Sequence, residues 1–122
     1  MKRHNIEFLW AWFDALRRRD TEAMTAALDP DVVWQGIRED LVCSGPEEVI
    51  AAFVSGYDAH QEIDSLELLG TGRSLVLGVR APDLGEVDDG EIYNVFTIDN
   101  ETIIRIEDYL QRDEALAAAG LT

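Results

Sequence analysis

The chain has 122 residues, 47% of them hydrophobic, with 25 Asp and Glu against 10 Lys and Arg, a formal charge of −15. Such a length predicts one domain, residues 1–122, with a real core. The acidity argues against nucleic acid and anionic lipid surfaces, which both demand a basic footprint, and no apolar run approaches the roughly 20 residues of a membrane span.

The start, MKRHNIEFLWAWF, is too interrupted by charge for a signal peptide, and the lone Cys43 fits a reducing, cytoplasmic setting with no internal disulfide. Asn5 can cap a first helix in which Ile6, Leu9, Trp10, Phe13 and Leu16 recur at three- and four-residue spacings. Arg17, Arg18 and Arg19 suit its C-terminal dipole. Asp20 or Thr21 starts a short second helix through Ala27 or Leu28, which Asp29-Pro30-Asp31 stops. Val32 to Gln35 reads as a short strand, and Leu41 to Cys43 as a brief one. Ser44 with Glu47 forms a capping box around Pro46, opening a third helix with the apolar face Val49, Ile50, Phe53, Val54 and Tyr57.

From Glu62 the hydrophobic period changes to two. Strands are predicted at 62–69, 74–81, 91–98 and 102–110, with turns at Gly70-Thr71-Gly72 and Asp99-Asn100-Glu101. Pro82 to Gly90 is an acidic loop. Asp113 can cap a last helical turn that Gly120 ends. Three helices around one short strand, followed by four antiparallel strands, define an α+β domain.

In the last strand, Ile104, Ile106, Asp108 and Leu110 share one parity, and successive strand side chains point to opposite faces. A carboxylate in an aliphatic row must be paired, protonated or lining a cavity. Arg80 lies in the 74–81 strand at the parity of Val76 and Gly78. If that face is concave, it meets Asp108, leaving either a proton-transfer group or a structural ion pair. Asn94 and Phe96 share a parity, and Phe96 is expected in a pocket wall. Trp34 takes the parity opposite Gln35 and is expected on the outer face. Tyr93 and Tyr109 take the parity opposite Asn94, as a dimer face or plain surface. Trp12, off the main stripe of its helix, caps a pocket mouth or packs under the third helix. His60, ending the third helix with Tyr57, is a neutral-pH proton carrier or a solvated helix-end side chain. Cys43 has no His and acid partner, and no spacing of His, Cys and carboxylates fits a metal.

Several phrases carry a resemblance: Asp20-Thr21-Glu22-Ala23, Leu28-Asp29-Pro30-Asp31-Val32-Val33-Trp34, Cys43 to Val49, and Val95 to Asn100 with Ile103 to Tyr109. Over nearly the whole chain they resemble the SnoaL-like polyketide-cyclase branch of the ketosteroid-isomerase-like, or nuclear-transport-factor-2-like, superfamily. The resemblance implies a cystatin-like cone, with three N-terminal helices packed on a strongly curved, mostly antiparallel sheet. It also implies an interior pocket for a small apolar organic ligand and a homodimer through the outer sheet face. Ketosteroid isomerases place a Tyr, an Asp base and a protonated Asp at positions that resemble Trp12, Gln35 and Asn94 here, none of which can be a carboxylate base. Limonene epoxide hydrolases carry an Asp before an aromatic residue on the last strand, as in Asp108-Tyr109. They also carry an Arg that Arg80 resembles, while their second Asp falls at Pro82, beside Asp83.

The resemblance implies catalysis without cofactor, with Asp108 as acid or base and Arg80 as its partner. Trp12, Gln35, Tyr57, His60, Asn94, Phe96 and Ile106 would contact substrate. The expected activity is a cyclase, isomerase or hydrolase. The alternative is a non-catalytic ligand-binding or dimeric accessory module on the same cone.

Overall fold

A computed structural model of the chain describes residues 3–37, 39–59, 65–70, 72–80 and 91–121; for 3, 4, 56–59, 65, 66, 80 and 91 it describes the backbone alone. The predicted strand residues 62–64 and 81, the loop Pro82 to Gly90 and His60 lie outside the described residues.

Helix α1 spans Arg3–Arg18 and α2 spans Thr21–Ala26; β1 covers Leu28–Gln35 and β2 Val42–Ser44. Helix α3 runs Pro46–Ala59. The strands β3 Ser65–Leu69, β4 Ser74–Arg80, β5 Glu91–Asp99 and β6 Thr102–Tyr109 precede α4, Arg112–Ala118. The six strands form one open sheet in the order β2-β1-β6-β5-β4-β3. Every neighbouring pair is antiparallel except β1 with β6. This is the expected α+β architecture, with its first three helices against a mostly antiparallel sheet.

The local chemistry explains most boundaries. The Asp20 side chain accepts a hydrogen bond from the Ala23 amide, which starts α2. Glu48, rather than the expected Glu47, accepts from the Ser44 amide at 2.9 Å, and Gly45, at φ 87°, turns the chain into α3. Strand β1 is longer than predicted because Pro30 is accommodated where its register with β6 shifts, between Leu28 and Val33. Helix α4 is capped at Gln111 without a side-chain bond; Asp113 sits in its first turn instead of capping it. Gly120, at φ 75°, ends that helix as expected.

The core lies between the helices and the sheet's inner face. It contains Leu9, Trp12 and Leu16 of α1, Val49 and Ile50 of α3, and Phe96 and Ile106 of the sheet. Trp12 is 3% exposed and Trp10 43%, so the inward face of α1 is turned relative to the predicted stripe. Trp12 wins because its indole N–H finds the Met24 carbonyl of α2 at 3.2 Å and its ring packs on Phe13, Phe53 and Phe96. Asn5, expected as a cap, instead donates to the Gly72 carbonyl at 2.9 Å and ties α1 to the turn before β4. A smaller cluster of Val76, Tyr93, Val95 and Ala115 lies on the opposite face, under α4. That helix covers part of the outer face expected to pair with a second copy.

The β5–β6 hairpin turns through Asn100 and Glu101, with φ of 54° and 59°. Two left-handed central residues suit the right-handed twist of the strands, and Asn-Gly is the favoured pair. Glu101 pays the Cβ penalty that Gly avoids. Glu101→Gly is expected to stabilise the fold by about 1 kcal/mol, read as a higher midpoint in urea unfolding with an unchanged slope.

Candidate functional site

Strand β6 contains an extra residue. Its register with β5 shifts between Thr97 and Ile98, so Ile98 pairs with Ile103 while Thr97 pairs with Arg105. Ile104 is the bulged residue, and the inward row is Ile103, Ile106 and Asp108 rather than the simple alternation predicted from Ile104. Leu110 falls past the strand and is exposed. Beyond the bulge Asp108 sits opposite Asn94, and Ile106 opposite Phe96. Ile106 with Asp108, and Asn94 with Phe96, share a face within their strands as the alternation predicted.

The parity of β1 is the reverse of the expectation. Trp34 aligns with Ile106, and Gln35 aligns with Glu107. Trp34 therefore faces the core, where its ring stacks on Phe53 at 4.3 Å with a 22° interplanar angle. Gln35, expected to touch substrate, points away from the core and donates to the carbonyls of Gly36, Glu39 and Leu41 in the loop that follows β1. The correction follows from the parallel pairing with β6, which sets the direction of every β1 side chain.

Asp108 is held by these two neighbours. The Trp34 indole N–H donates to Oδ1 at 2.7 Å and the Asn94 amide to the same oxygen at 2.5 Å. Asn94 is 6% exposed. Burial pushes the Asp108 carboxyl up to about 6, and the bonds from Trp34 and Asn94 pull in the opposite direction. The group is mostly buried, bonded to neutral donors and poised near neutrality. Trp34 is the Asp108 partner that parity reasoning placed on the wrong face; its indole N–H was the available signal, since a buried Trp seeks an acceptor.

The strand register fixes the row to which the backbone of Arg80 belongs. Arg80 belongs to the row of Val76 and Gly78, while Leu75 and Leu77 of the same strand face the main core. Val76 packs in the cluster under α4, so Arg80's row is the outer one. Its side chain lies outside the described residues, as does that of Tyr57, which α3 carries near its end. Trp12, Phe96 and Ile106 are core side chains on the Asp108 side of the sheet, with Trp12 and Phe96 in edge contact at 6.2 Å. Burial first, then the charges of Glu48 and Asp108, push the Cys43 thiol up, which keeps it protonated and unsuited to attack.

Asp108 and Gln35, two of the expected site residues, line one groove of about 340 Å³ with Ile37, Glu107, Tyr109 and Glu114. This is within the size range of small-ligand sites, whose lower bound is roughly 300 Å³. A larger open groove, about 1180 Å³, lies between α2 and α3 against Thr25, Ile50, Ala51 and Val54 and contains none of the candidate side chains. Among the described residues no three His, Cys, Asp or Glu come together as a metal site, and no helix is long and apolar enough to cross a membrane.

No family model and no curated protein matches the chain. Solved structures do. A candidate polyketide cyclase from Sinorhizobium meliloti is 21% identical, with 84% of this chain and 94% of that one covered and a TM-score of 0.59. Another from Xanthomonas campestris pv. campestris is 18% identical over 96% and 98% of the two chains, with a TM-score of 0.62. An NTF2-like protein of unknown function from Burkholderia xenovorans, 14% identical, reaches a TM-score of 0.67 over 89% and 85%. The chain has the NTF2-like, cystatin-type fold.

The raised Asp108 makes a stability prediction with a definite sign. Between about pH 4, where an unfolded Asp titrates, and about 6, the folded chain keeps a proton that the unfolded chain has released. The stabilisation from that proton is complete below the unfolded value and is lost as pH rises through the folded one. Asp108→Asn keeps an acceptor oxygen for Trp34 and Asn94 and carries no charge. Its stability relative to wild type is expected to be near zero at about pH 4 and about 2 kcal/mol in its favour at about pH 8. Guanidinium titrations at the two pH values measure this; a pH-independent difference would contradict it.

Proposed function

We propose that the chain binds a small, largely apolar organic molecule inside its cone and that Asp108 exchanges a proton with it, without a cofactor. This is chemistry of the cyclase, isomerase or hydrolase type. The observation that carries the reading is a mostly buried carboxylate held by two neutral donors, with no cation bonded to it among the described residues. A structural buried carboxylate is usually compensated by Arg or Lys. One poised near neutral pH and lacking such a partner can both take and return a proton. In this role Trp34 and Asn94 hold Oδ1 and stabilise the anion, while Phe96 and Ile106 supply apolar wall. The two structural neighbours described as candidate polyketide cyclases lend support to this class of chemistry.

A second reading, a non-catalytic ligand-binding or dimeric accessory module, is favoured by the interior packing. Trp12, Phe13, Phe53 and Phe96 meet one another edge-on or tilted, an arrangement that stabilises a core whatever Asp108 does.

Mass spectrometry of small molecules carried through purification tests both. An apolar compound is expected to co-purify with wild type and with Asp108→Asn, and wild type alone is expected to convert it. A drop of about 100-fold or more in turnover is the scale of a lost general acid or base. Unchanged turnover in Asp108→Asn removes that side chain from the mechanism. A compound that binds wild type but is never converted selects the accessory module.

A further inference from the structure

The Trp34 indole reaches Asp108 obliquely. In the parallel pairing of β1 with β6, Trp34 stands beside Ile106, and Asp108 lies two residues further along its strand. That is about 7 Å at the rise of a β-strand, yet the indole N–H meets Oδ1 at 2.7 Å. The ring must therefore lie lengthwise along the strands. A strand side chain has more than one staggered setting, and only one that aims the N–H at residue 108 makes this bond. The Phe53 ring of α3 lies on the Trp34 ring at 4.3 Å and 22°, the closest and flattest ring pair among the described residues. Phe53 also meets Trp12 edge-on at 5.0 Å, and the Trp12 N–H is held by the Met24 carbonyl. A ring anchored in this way and laid flat on an indole limits its tilt, whereas an aliphatic side chain fills the space without doing so.

Resting on the reading that Asp108 exchanges a proton with a ligand, we propose that Phe53 is a positioning residue for it: by stacking on Trp34, Phe53 keeps the indole N–H on Asp108 Oδ1 and so sets how firmly that carboxyl holds its proton. Phe53 has no polar atom, so its influence has to pass through Trp34. The bond from Trp34 opposes the effect of burial on Asp108. An indole free to tilt withdraws that bond part of the time, and burial then acts against the Asn94 bond alone. The titratable groups about Asp108 among the described residues are Cys43 of β2, Glu39 of the loop after β1, Glu107 and Tyr109 of β6 and Glu114 of α4. Exchanging Phe53 for another apolar residue changes the charge of none of them.

The test is the titration midpoint of Asp108, read from its carboxyl carbon by NMR with no ligand present. Trp34→Phe removes the donor and keeps a ring, and is expected to raise the midpoint by about one pH unit, the scale of a lost hydrogen bond to a charged group. The same variant identifies the Trp34 indole N–H signal by its disappearance. Phe53→Leu is expected to raise the midpoint by about half a unit and to move the Trp34 N–H signal away from its hydrogen-bonded position. Phe53→Met, which replaces the flat ring with a flexible chain, carries the same expectation if Phe53→Leu does not fold. The double variant Trp34→Phe with Phe53→Leu should titrate as Trp34→Phe alone, because the second change has no indole left to act on. Phe13→Leu, a comparable loss in the same aromatic layer, should leave the midpoint where it is. A midpoint that stays or falls in Phe53→Leu overturns the proposal, as does an equal rise in Phe13→Leu or a further rise in the double variant. Each of these leaves proton exchange by Asp108 standing, whereas unchanged turnover in Asp108→Asn removes the exchange without altering the titrations.

Discussion

The candidate site depends on one constraint: a carboxylate largely shielded from water must be compensated, and among the described residues two uncharged donors do it. The strand order places β6 between β1 and β5, so Asp108 lies within reach of Trp34 on one side and Asn94 on the other. Each neutral hydrogen bond contributes only about 1 kcal/mol net. Desolvation is the larger influence, and the carboxyl is accordingly pushed up to about 6 instead of down. An Arg in the same position would have paired the charge and produced an ion pair with little appetite for a proton.

The aromatic layer converts this local balance into a property of the whole domain. Trp34 bonds Asp108 through its N–H and stacks on Phe53 of α3 through its ring. Phe53 lies against Trp12 of α1, whose own N–H is held by α2. One continuous set of side chains therefore runs from the carboxylate to all three N-terminal helices. A change in how those helices pack would move the ring that orients the carboxylate, so core packing and site geometry are the same problem in this small protein.

The opposite face of the sheet is organised separately. Helix α4 buries Val76, Tyr93 and Val95, so the aromatic residue beside Asn94 serves packing. The two faces are chemically distinct although their residues alternate along the same strands, and Arg80 belongs by register to the face without Asp108. Structural likeness at 21% identity or below carries the fold and no more, because this fold supports unrelated activities.

Much of this was legible in the chain. Helical spacing placed α1, α2 and α3, period-two alternation placed β3 to β6, and the turn through Asn100 and Glu101 was apparent. Asp108 stood out as a charge in an apolar row, and parity grouped Asn94 with Phe96. The chain by itself determined which residues share a face wherever the period runs unbroken, as for Asn94 with Phe96 and Ile106 with Asp108, because the helix and strand periods are local properties of the backbone. It did not determine which face points inward. Trp12 rather than Trp10, and Trp34 rather than Gln35, turn to the core because of partners on other elements: the Met24 carbonyl, the Phe53 ring, and the parallel register with β6. The Ile104 bulge and the outer placement of the Arg80 row are decided the same way. A one-residue shift in pairing reverses every side chain beyond it, and pairing is settled only when distant strands meet.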